Sequence, residues 1–324
     1  MKSLLRYKMG RPTAEGVWPR VDGVCLVPMF ALLAAAMLPL HAVEVRRIAS
    51  RDAHQGVASD GQHLFAISNH SITRIDEASG RQEVRWVGDP ERFRHLNSCI
   101  VRKAELVCAD SNYPDIPMDS RIERFNAVTL QHLGSLQLGV GYGSLTWADW
   151  HDGAWWACYA NYDRWGGTPG RDHRATMLVR YDSGWHEVAR WRFPQAILDR
   201  FAPMSASGGA WGTDGLLYVT GHSRPELYAL RVPQGGGTLV PVAIITTATH
   251  GQAIGWDRKD ERLLWTIDRG MNELVSSRVP AIAHGNYPLC VDRRPLASMR
   301  SRARPTLPGV GRRSSCSSWQ EKSR

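Results

Sequence analysis

Apolar residues recur along the chain in short runs of about four to eight positions, each bounded by glycine, aspartate or asparagine. Examples are residues 64–69, 155–162, 216–222 and 263–268. These runs are too short for helices, which also need a repeat of about 3.6 residues. Many of their residues are β-branched or aromatic, which suits the pleated, half-buried surface of a sheet. The pattern therefore predicts an all-β protein built from short strands.

The runs form five similar units that begin at His54, His95, Gly143, Ser207 and His250. These starts are 41, 48, 64 and 43 residues apart, a spacing typical of four-stranded propeller blades. The third unit is the longest because it carries a glycine-rich loop at 165–174 and a short helical piece at 195–201. The repeat predicts a single β-propeller with five blades. A six-bladed ring is the alternative, if the third unit combines two blades.

The two ends of the repeat region predict how the ring closes. The fifth unit supplies three strands, and Val43–Ile48 has the pattern of a fourth. Pairing this N-terminal strand with the last blade would close the ring and leave fewer exposed sheet edges. The predicted propeller domain therefore spans residues 43–279.

Residues 1–42 have the features of a secretory signal peptide. A basic segment precedes the apolar run Val24–Leu40, and the small residue Ala42 marks the predicted cleavage position. We expect export to the periplasm or the exterior, with no stable membrane association after cleavage. An uncleaved N-terminal anchor is the alternative, because the apolar run is close to the length of a membrane span.

Positive charge is concentrated at the two ends of the chain. The formal net charge is +9; residues 293–324 contribute +8 and residues 1–23 contribute +3, which leaves −2 between them. The predicted domain thus lacks the basic stripe that neutralises phosphates, and this argues against a nucleic-acid partner. Residues 280–324 are rich in Arg, Ser and Pro and predict a disordered basic tail. That tail is either an interaction segment or the out-of-frame end of a gene.

Three cysteines fall inside the predicted strands: Cys99, Cys108 and Cys158. Their apolar surroundings predict buried free thiols. A Cys99–Cys108 disulfide is the alternative. The sequence has no CxxC pair, so a zinc knuckle or a dithiol redox site is not supported.

Three Asp-Gly pairs fall in the hairpin between the first and second strands of a blade: Asp60–Gly61, Asp152–Gly153 and Asp214–Gly215. Asp-Gly favours tight turns with positive φ. These hairpins all point to one face of a propeller, so the adjacent His151 is predicted to be structural.

Polar residues collect on the opposite face, before the first strands and after the second strands of the blades. First strands line the central channel, so these side chains should converge near its mouth, where propellers usually bind ligands. We select His95 and His222 as candidate catalytic acid–base groups. The candidate ligand-binding residues are His54, Gln55, Asn69, Asn97, Asn112, Tyr113, Asn161, Tyr162, Glu226, His250, Gln252 and Arg269.

Other interpretations of this face stay open. Transition-metal binding would use His54, His95 and His250. Calcium binding would use Asp163, Glu226 and Asp268. The structural interpretation is that the polar groups bond to one another and stiffen the channel. We favour a site without a metal or another cofactor.

Tryptophans crowd the third unit. Trp147, Trp150, Trp155 and Trp156 are predicted to pack between blades, and a sugar-stacking platform is the alternative. Trp165 lies in the glycine-rich loop, which is either a lid over the polar face or a solvated insertion.

Several sequence strings resemble a family of secreted bacterial β-propeller proteins. They are HLNS at 95–98, SNYPDIPMDS at 111–120, GSLTWADWHDGAWW at 143–156, SASGGAWGTDGLLYVTGHSRPELYAL at 205–230 and GQAIGWDR at 251–258. The resemblance covers about residues 45–279. Some members are named cycloisomerase, by distant analogy with propeller enzymes that cyclise muconates. The resemblance implies that His and Arg groups near the channel mouth bind a carboxylate and move a proton. It assigns these roles to no single residue.

The first functional hypothesis is a monomeric exported enzyme that binds a small polar or carbohydrate-like molecule and acts by isomerase- or lyase-like acid–base chemistry. A non-catalytic propeller that binds sugars or proteins through the same face is the second hypothesis. The third is a structural scaffold.

Overall fold

Strands dominate the part of the chain that this computed structural model describes, residues 40–282. Those residues contain twenty-two strands, one α-helix and one short 3-10 helix. The predicted signal peptide and basic tail lie almost entirely outside the described residues. Within residues 40–282, no helix has the length and apolar character needed to cross a membrane.

The elements are numbered in chain order, beginning with β1 (Leu40–His41) and β2 (Val43–Ala49). The first blade comprises β3 (Gly56–Ser59), β4 (His63–Ser68), β5 (Ser71–Asp76) and β6 (Gln82–Val87). The second comprises β7 (Cys99–Arg102), β8 (Glu105–Ser111), β9 (Asp119–Asn126) and β10 (His132–Val140). The third comprises β11 (Ser144–His151), β12 (Ala154–Ala160), β13 (Met177–Tyr181) and β14 (Glu187–Arg192).

The 3-10 helix His173–Ala175 precedes β13, and α1 (Gln195–Phe201) follows β14. The fourth blade comprises β15 (Gly208–Trp211), β16 (Leu217–Thr220), β17 (Glu226–Arg231) and β19 (Val240–Thr246), and the two-residue strand β18 is Gly237–Thr238. The fifth blade comprises β20 (Gly255–Trp256), β21 (Leu263–Asp268), β22 (Glu273–Arg278) and β2.

Each blade is a four-stranded antiparallel unit, and the five units form a ring. In the first blade, for example, Leu64 of β4 pairs with Ser59 on one side and Ile75 on the other. The inner strands contact one another in cyclic order, from β3 through β7, β11, β15 and β20 back to β3. The predicted five-bladed β-propeller is confirmed. The third unit has no second set of strands, since the loop before β13 and α1 account for its extra length.

The N-terminal strand closes the last blade, as predicted. β2 runs antiparallel to β22, from the pair Val43–Arg278 to the pair Ala49–Glu273. Ile48 is buried in the same apolar cluster as Leu274 and Trp265 of the fifth blade and Leu64 of the first. The closing strand therefore packs into the seam between the two blades that complete the ring.

Two further pairings add short parallel strands to outer edges. β18 pairs with β14, and β1 pairs with β19 through Leu40–Ile245 and His41–Thr246. β1 lies just before the predicted cleavage position, so cleavage after Ala42 would leave β19 as the outermost strand of its blade.

The tryptophans of the third blade are core residues, as predicted. Trp147, Trp155 and Trp156 are buried, and Trp150 is partly buried against the same cluster as Trp155. Gly209 makes room for this packing, because a Cβ there would come 2.3 Å from the indole of Trp147.

The prediction of free thiols at Cys99 and Cys108 is wrong, because the two residues form a disulfide. Lys103 and Ala104 form a two-residue turn between β7 and β8, which places the two cysteines directly opposite each other, with 4.0 Å between their Cα atoms. Cys158 is a buried free thiol, as predicted.

The Asp-Gly pairs form the predicted hairpin turns between first and second strands. Asp152 and Gly153 both have positive φ, 51° and 74°, which is the requirement of a type I′ turn. His151 stacks on Trp211 with 4.1 Å between ring centroids, a packing contact of the kind expected for a structural residue.

Candidate functional site

A cavity of about 470 Å³ opens at the end of the ring where the inner strands begin. Its lining residues are Gln55, Asn69, His70, Pro90, Glu91, Arg94, His95, Asn97, Tyr113, Pro114, Tyr162, Met204, Ser207, His222, Gln252 and Arg269.

Two kinds of chain segment supply most of these side chains. Gln55, Asn97 and Ser207 lie just before inner strands, whereas Tyr113 and Arg269 follow second strands. The propeller repeat thus brings together residues that are far apart in the sequence. Most of the lining therefore comes from the two segment types predicted for this face.

Buried amides form part of the lining. Gln55, Asn97 and Gln252 are each at most 5% exposed. The Gln55 Nε2 atom donates to Asn69 Oδ1 at 2.6 Å. A glycine allows the neighbouring chain segments to converge here, since a Cβ on Gly208 would lie 2.5 Å from the carbonyl oxygen of Gln252.

His95 lies between an amide and an aromatic ring. Asn97 Nδ2 is 3.4 Å from His95 Nε2, and the ring centroids of His95 and Tyr113 are 4.9 Å apart. Burial, together with the smaller effects of the Arg269 and His222 charges, lowers the pKa of His95 to about 4. The His95 imidazole is therefore neutral at pH 7. The backbone N–H of His95 donates to Asp110 Oδ1 at 3.2 Å.

His222 and Arg269 are neighbours in the cavity lining. Arg269 Nη1 lies 3.5 Å from His222 Nε2, and His222 Nδ1 lies 3.2 Å from Ser223 Oγ. Burial lowers the pKa of His222, and the positive charge of Arg269 lowers it further. Because a guanidinium only donates, the Nε2 atom that faces it is the basic nitrogen of a neutral imidazole.

Arg269 has no carboxylate within 4.0 Å among the described residues. Its neighbour Asp268 pairs with Arg47 instead, at 3.0 Å. The other lining arginine, Arg94, pairs with Asp115 at 2.8 Å. Among the described residues, Glu91 is the only carboxylate in the lining, and it is exposed. The cavity therefore keeps one guanidinium without a counterion.

Aromatic residues form another part of the lining. Tyr113 and Tyr162 meet edge to face with 5.0 Å between ring centroids. The glycine-rich loop supports them, because a Cβ on Gly166 would lie 2.8 Å from the Tyr113 ring. Trp165 itself is 60% exposed and outside the lining. The loop thus backs the aromatic residues of the cavity.

The structure brings nine of the fourteen candidate residues to this cavity. They are His95, His222, Gln55, Asn69, Asn97, Tyr113, Tyr162, Gln252 and Arg269. His250 instead lines an adjacent pocket of about 300 Å³ with His222 and Arg269, and its Nδ1 lies 2.6 Å from the carbonyl oxygen of Ser223.

The other four candidates lie outside both pockets. Asn161 is fully buried, donates to the carbonyl oxygen of Tyr142 at 2.9 Å and accepts from the Thr168 N–H at 2.8 Å. Asn112 similarly bonds its own loop, through the Pro117 carbonyl and the Asp119 N–H.

Glu226 pairs with Arg200 at 2.6 Å and accepts from the Tyr228 hydroxyl at 2.6 Å. His54 is half-buried, and its backbone N–H bonds to Asp52 and Ile67. The side chains of Asn161, Asn112 and Glu226 thus bond to other protein groups, as the structural interpretation of this face predicts.

The three imidazoles proposed for a transition metal do not all lie within 4.8 Å of one another, and neither do the three carboxylates proposed for calcium. The described residues contain two other close groups of three donors. One comprises His63, Asp76 and Glu83, and the other Asp163, Asp172 and His173. In each, an arginine already pairs with a carboxylate: Arg74 with Glu83 and Arg174 with Asp172.

Sequence reasoning missed several lining residues. Pro90, Glu91 and Arg94 lie in the connection between the first two blades, and Met204 follows α1. The connections between blades differ in length, so alignment of the repeat units gives these residues no equivalent positions. The nearness of Arg94 to His95 in sequence was the one available signal.

No known protein-family profile matches the chain, and no curated protein matches its sequence. Solved structures that match include a luciferin-regenerating enzyme, which is 9% identical over 74% of this chain and 96% of its own, with a TM-score of 0.45. The PQQ-bound aldose sugar dehydrogenase of Streptomyces coelicolor is 16% identical over 75% of this chain and 82% of its own, with a TM-score of 0.44.

The β-propeller domain of Cps50 (Swd1) from Myceliophteria thermophila is 11% identical over 69% of this chain and 83% of its own, with a TM-score of 0.37. Identities and scores this low transfer no function to this chain. The five-bladed architecture rests on the strand pairing itself.

Proposed function

We propose that this protein binds a small polar or carbohydrate-like molecule in the axial cavity and transforms it by acid–base chemistry. The observation that carries the proposal is the convergence of neutral imidazoles, amides and one guanidinium without a counterion on a single cavity of suitable size. A channel that is merely stiffened would pair all of these groups with one another, as Gln55 and Asn69 are paired. Here Gln252 and Ser207 have no side-chain partner among the described residues.

His222 is the candidate base, because its Nε2 lone pair is free of a proton at neutral pH. It takes a proton from the ligand, becomes an imidazolium and returns the proton to another atom of the same ligand. The net reaction is an isomerisation that conserves atoms and charge. His95, also neutral, accepts a hydrogen bond from a ligand hydroxyl or serves as the second proton carrier.

This chemistry agrees with the isomerase- or lyase-like activity that the family resemblance implies. Export to the periplasm or the exterior belongs to the same proposal. The Cys99–Cys108 disulfide supports it, because disulfides form and persist in oxidising compartments.

Thermal-shift measurements against sugars, lactones and dicarboxylates test the binding site. We expect at least one compound to raise the melting temperature of the wild type and to have little effect on His95→Ala or His222→Ala. His186→Ala is the matched control, since His186 lies in an exposed turn between β13 and β14. If no compound stabilises the wild type more than the two cavity variants, the site is wrong.

Hydrogen exchange into the ligand tests catalysis separately from binding. A bound compound incubated with wild-type protein in D₂O should gain deuterium, detected by mass spectrometry, because His222 exchanges its proton with solvent. His222→Gln should bind the same compound without exchange. Binding without any deuterium gain in the wild type would instead identify a non-catalytic sugar-binding propeller.

A further inference from the structure

We infer that the ligand of the axial cavity is a sugar acid, a hydroxylated ring of about one sugar unit that carries one carboxylate. Arg269 binds the carboxylate, and Gln252 and Ser207 bind hydroxyl groups. This inference rests on the proposed function, and it adds the charge and the chemical class of the ligand.

The unneutralised guanidinium of Arg269 supplies the first argument. Arg269 is an exposed residue at the cavity mouth, and partial desolvation lowers its pKa. An arginine still keeps its charge at neutral pH. Among residues 40–282, the one side-chain atom bonded to it is His222 Nε2, at a long 3.5 Å. A ligand carboxylate would satisfy the guanidinium through short charge-assisted hydrogen bonds.

The charges of the remaining groups indicate one acid group and not two. Arg94 is neutralised by Asp115, and Glu91 at the exposed rim is itself negative. His95 and His222 are neutral, because burial lowers their pKa values. If a dicarboxylate bound here, its second carboxylate would find no unpaired cation in the lining.

Unpaired hydrogen-bonding groups supply the second argument. Gln252 is 4% exposed and Ser207 8%, yet neither side chain bonds to another described residue. The Tyr113 hydroxyl likewise has no hydrogen-bond partner among residues 40–282. A ligand rich in hydroxyls would satisfy these groups, whereas a purely apolar acid would leave them unpaired at a cost in affinity.

Cavity size and the tyrosines complete the argument. A volume of about 470 Å³ lies in the lower part of the range of about 300–1,000 Å³ of small-molecule sites. It suits one sugar ring and excludes a long chain. Tyr113 and Tyr162 offer ring carbons against which the apolar C–H surface of a sugar can pack.

Calorimetric titration with galacturonate, glucuronate, galactose, glucose and succinate tests this inference. The two sugar acids should bind the wild type more tightly than the neutral sugars or succinate. Arg269→Gln should weaken sugar-acid binding about 10- to 100-fold, the loss expected for a charged hydrogen bond, and leave neutral-sugar binding unchanged. Arg224→Gln is the matched control, because Arg224 is exposed in the β16–β17 loop and outside the lining.

The outcomes separate this inference from the proposed function. Neutral and acidic sugars could bind equally well, with no effect of Arg269→Gln. That result would overturn the requirement for a carboxylate and leave the cavity as a site for neutral sugars. Succinate binding as tight as that of the sugar acids would overturn the requirement for hydroxyls. If none of these five compounds binds and the thermal-shift screen of sugars, lactones and dicarboxylates also finds no ligand, both the inference and the proposed function fail.

Discussion

The side chain of Glu77 has a pKa well above the usual value for a glutamate. Burial and the neighbouring Asp257 carboxylate together raise the pKa of Glu77 to about 7, and burial is the larger cause. Glu77 follows β5 in the first blade and Asp257 follows β20 in the fifth, so the pair bridges the seam that closes the ring. A protonated Glu77 removes the repulsion between the two carboxylates.

The raised pKa of Glu77 predicts a pH dependence of stability. The folded protein holds this proton up to about pH 7, whereas the unfolded chain releases it near pH 4.5. The free energy of unfolding should therefore fall as the pH rises from about 5 to 8. Glu77→Gln should raise stability at pH 8 by about 1 kcal/mol, a value discounted for partial solvent exposure.

Urea unfolding at pH 5 and pH 8 measures this effect. Asp110 also has a pKa raised to about 7 by burial, so the wild type should keep part of its pH dependence even without Glu77. The informative quantity is the difference between Glu77→Gln and the wild type. Glu261→Gln, an exposed change, serves as the control. Equal pH slopes for Glu77→Gln and wild type would contradict the prediction.

At the scale of elements, the disulfide of the β7–β8 hairpin should stabilise the fold. A crosslink that closes a loop of about ten residues stabilises by about 3 kcal/mol, because it restricts the unfolded chain. The double variant Cys99→Ala/Cys108→Ala should lose about that much, as measured by chemical denaturation. Cys158→Ala is the matched control, since it truncates a buried cysteine without removing a crosslink.

Reductant provides the second half of this test. It should lower the melting temperature of the wild type and of Cys158→Ala, but not that of the double variant. If reductant leaves the melting temperature of the wild type unchanged, the crosslink contributes nothing to stability.

Most elements could be predicted from sequence because each one has a local signal. Buried strands such as β12 are continuous apolar runs, and turns such as Asp152–Gly153 use residues that tolerate positive φ. The two-residue strands β1 and β18 have no such signal, because they arise only where an outer edge accepts a parallel neighbour. The disulfide was the alternative prediction, but the apolar surroundings of the two cysteines favoured free thiols.

At the scale of the whole molecule, the candidate site was predictable as a face but not as a set of contacts. The propeller repeat determines that Asn97 and Gln252 approach the same mouth. It does not determine side-chain direction, so Asn161 could not be separated from them before the structure showed its bonds to Tyr142 and Thr168. The lone guanidinium of Arg269 depends on distant pairings, and these emerge only in three dimensions.

Ring closure gives the last prediction. β2 joins the fifth blade through β22 and also contacts the first blade, where Arg46 donates to the carbonyl oxygens of Glu77 and Ala78 at 2.6 and 3.0 Å. Ile48 fills the apolar seam between these blades. Ile48→Ala should therefore lower the free energy of unfolding by about 2–4 kcal/mol. Val45→Ala, at an exposed bulge of the same strand, should change it by less than about 0.5 kcal/mol.

The cooperativity of unfolding decides whether this strand closes the ring energetically as well as geometrically. Each blade buries its apolar surface against its neighbours, so opening one seam exposes both blades beside it. Tryptophan fluorescence and far-ultraviolet circular dichroism should then report one shared urea transition, shifted to lower urea in Ile48→Ala. Two separate transitions in that variant would mean that the fifth blade detaches while the other blades stay folded. That result would limit the role of β2 to its own blade.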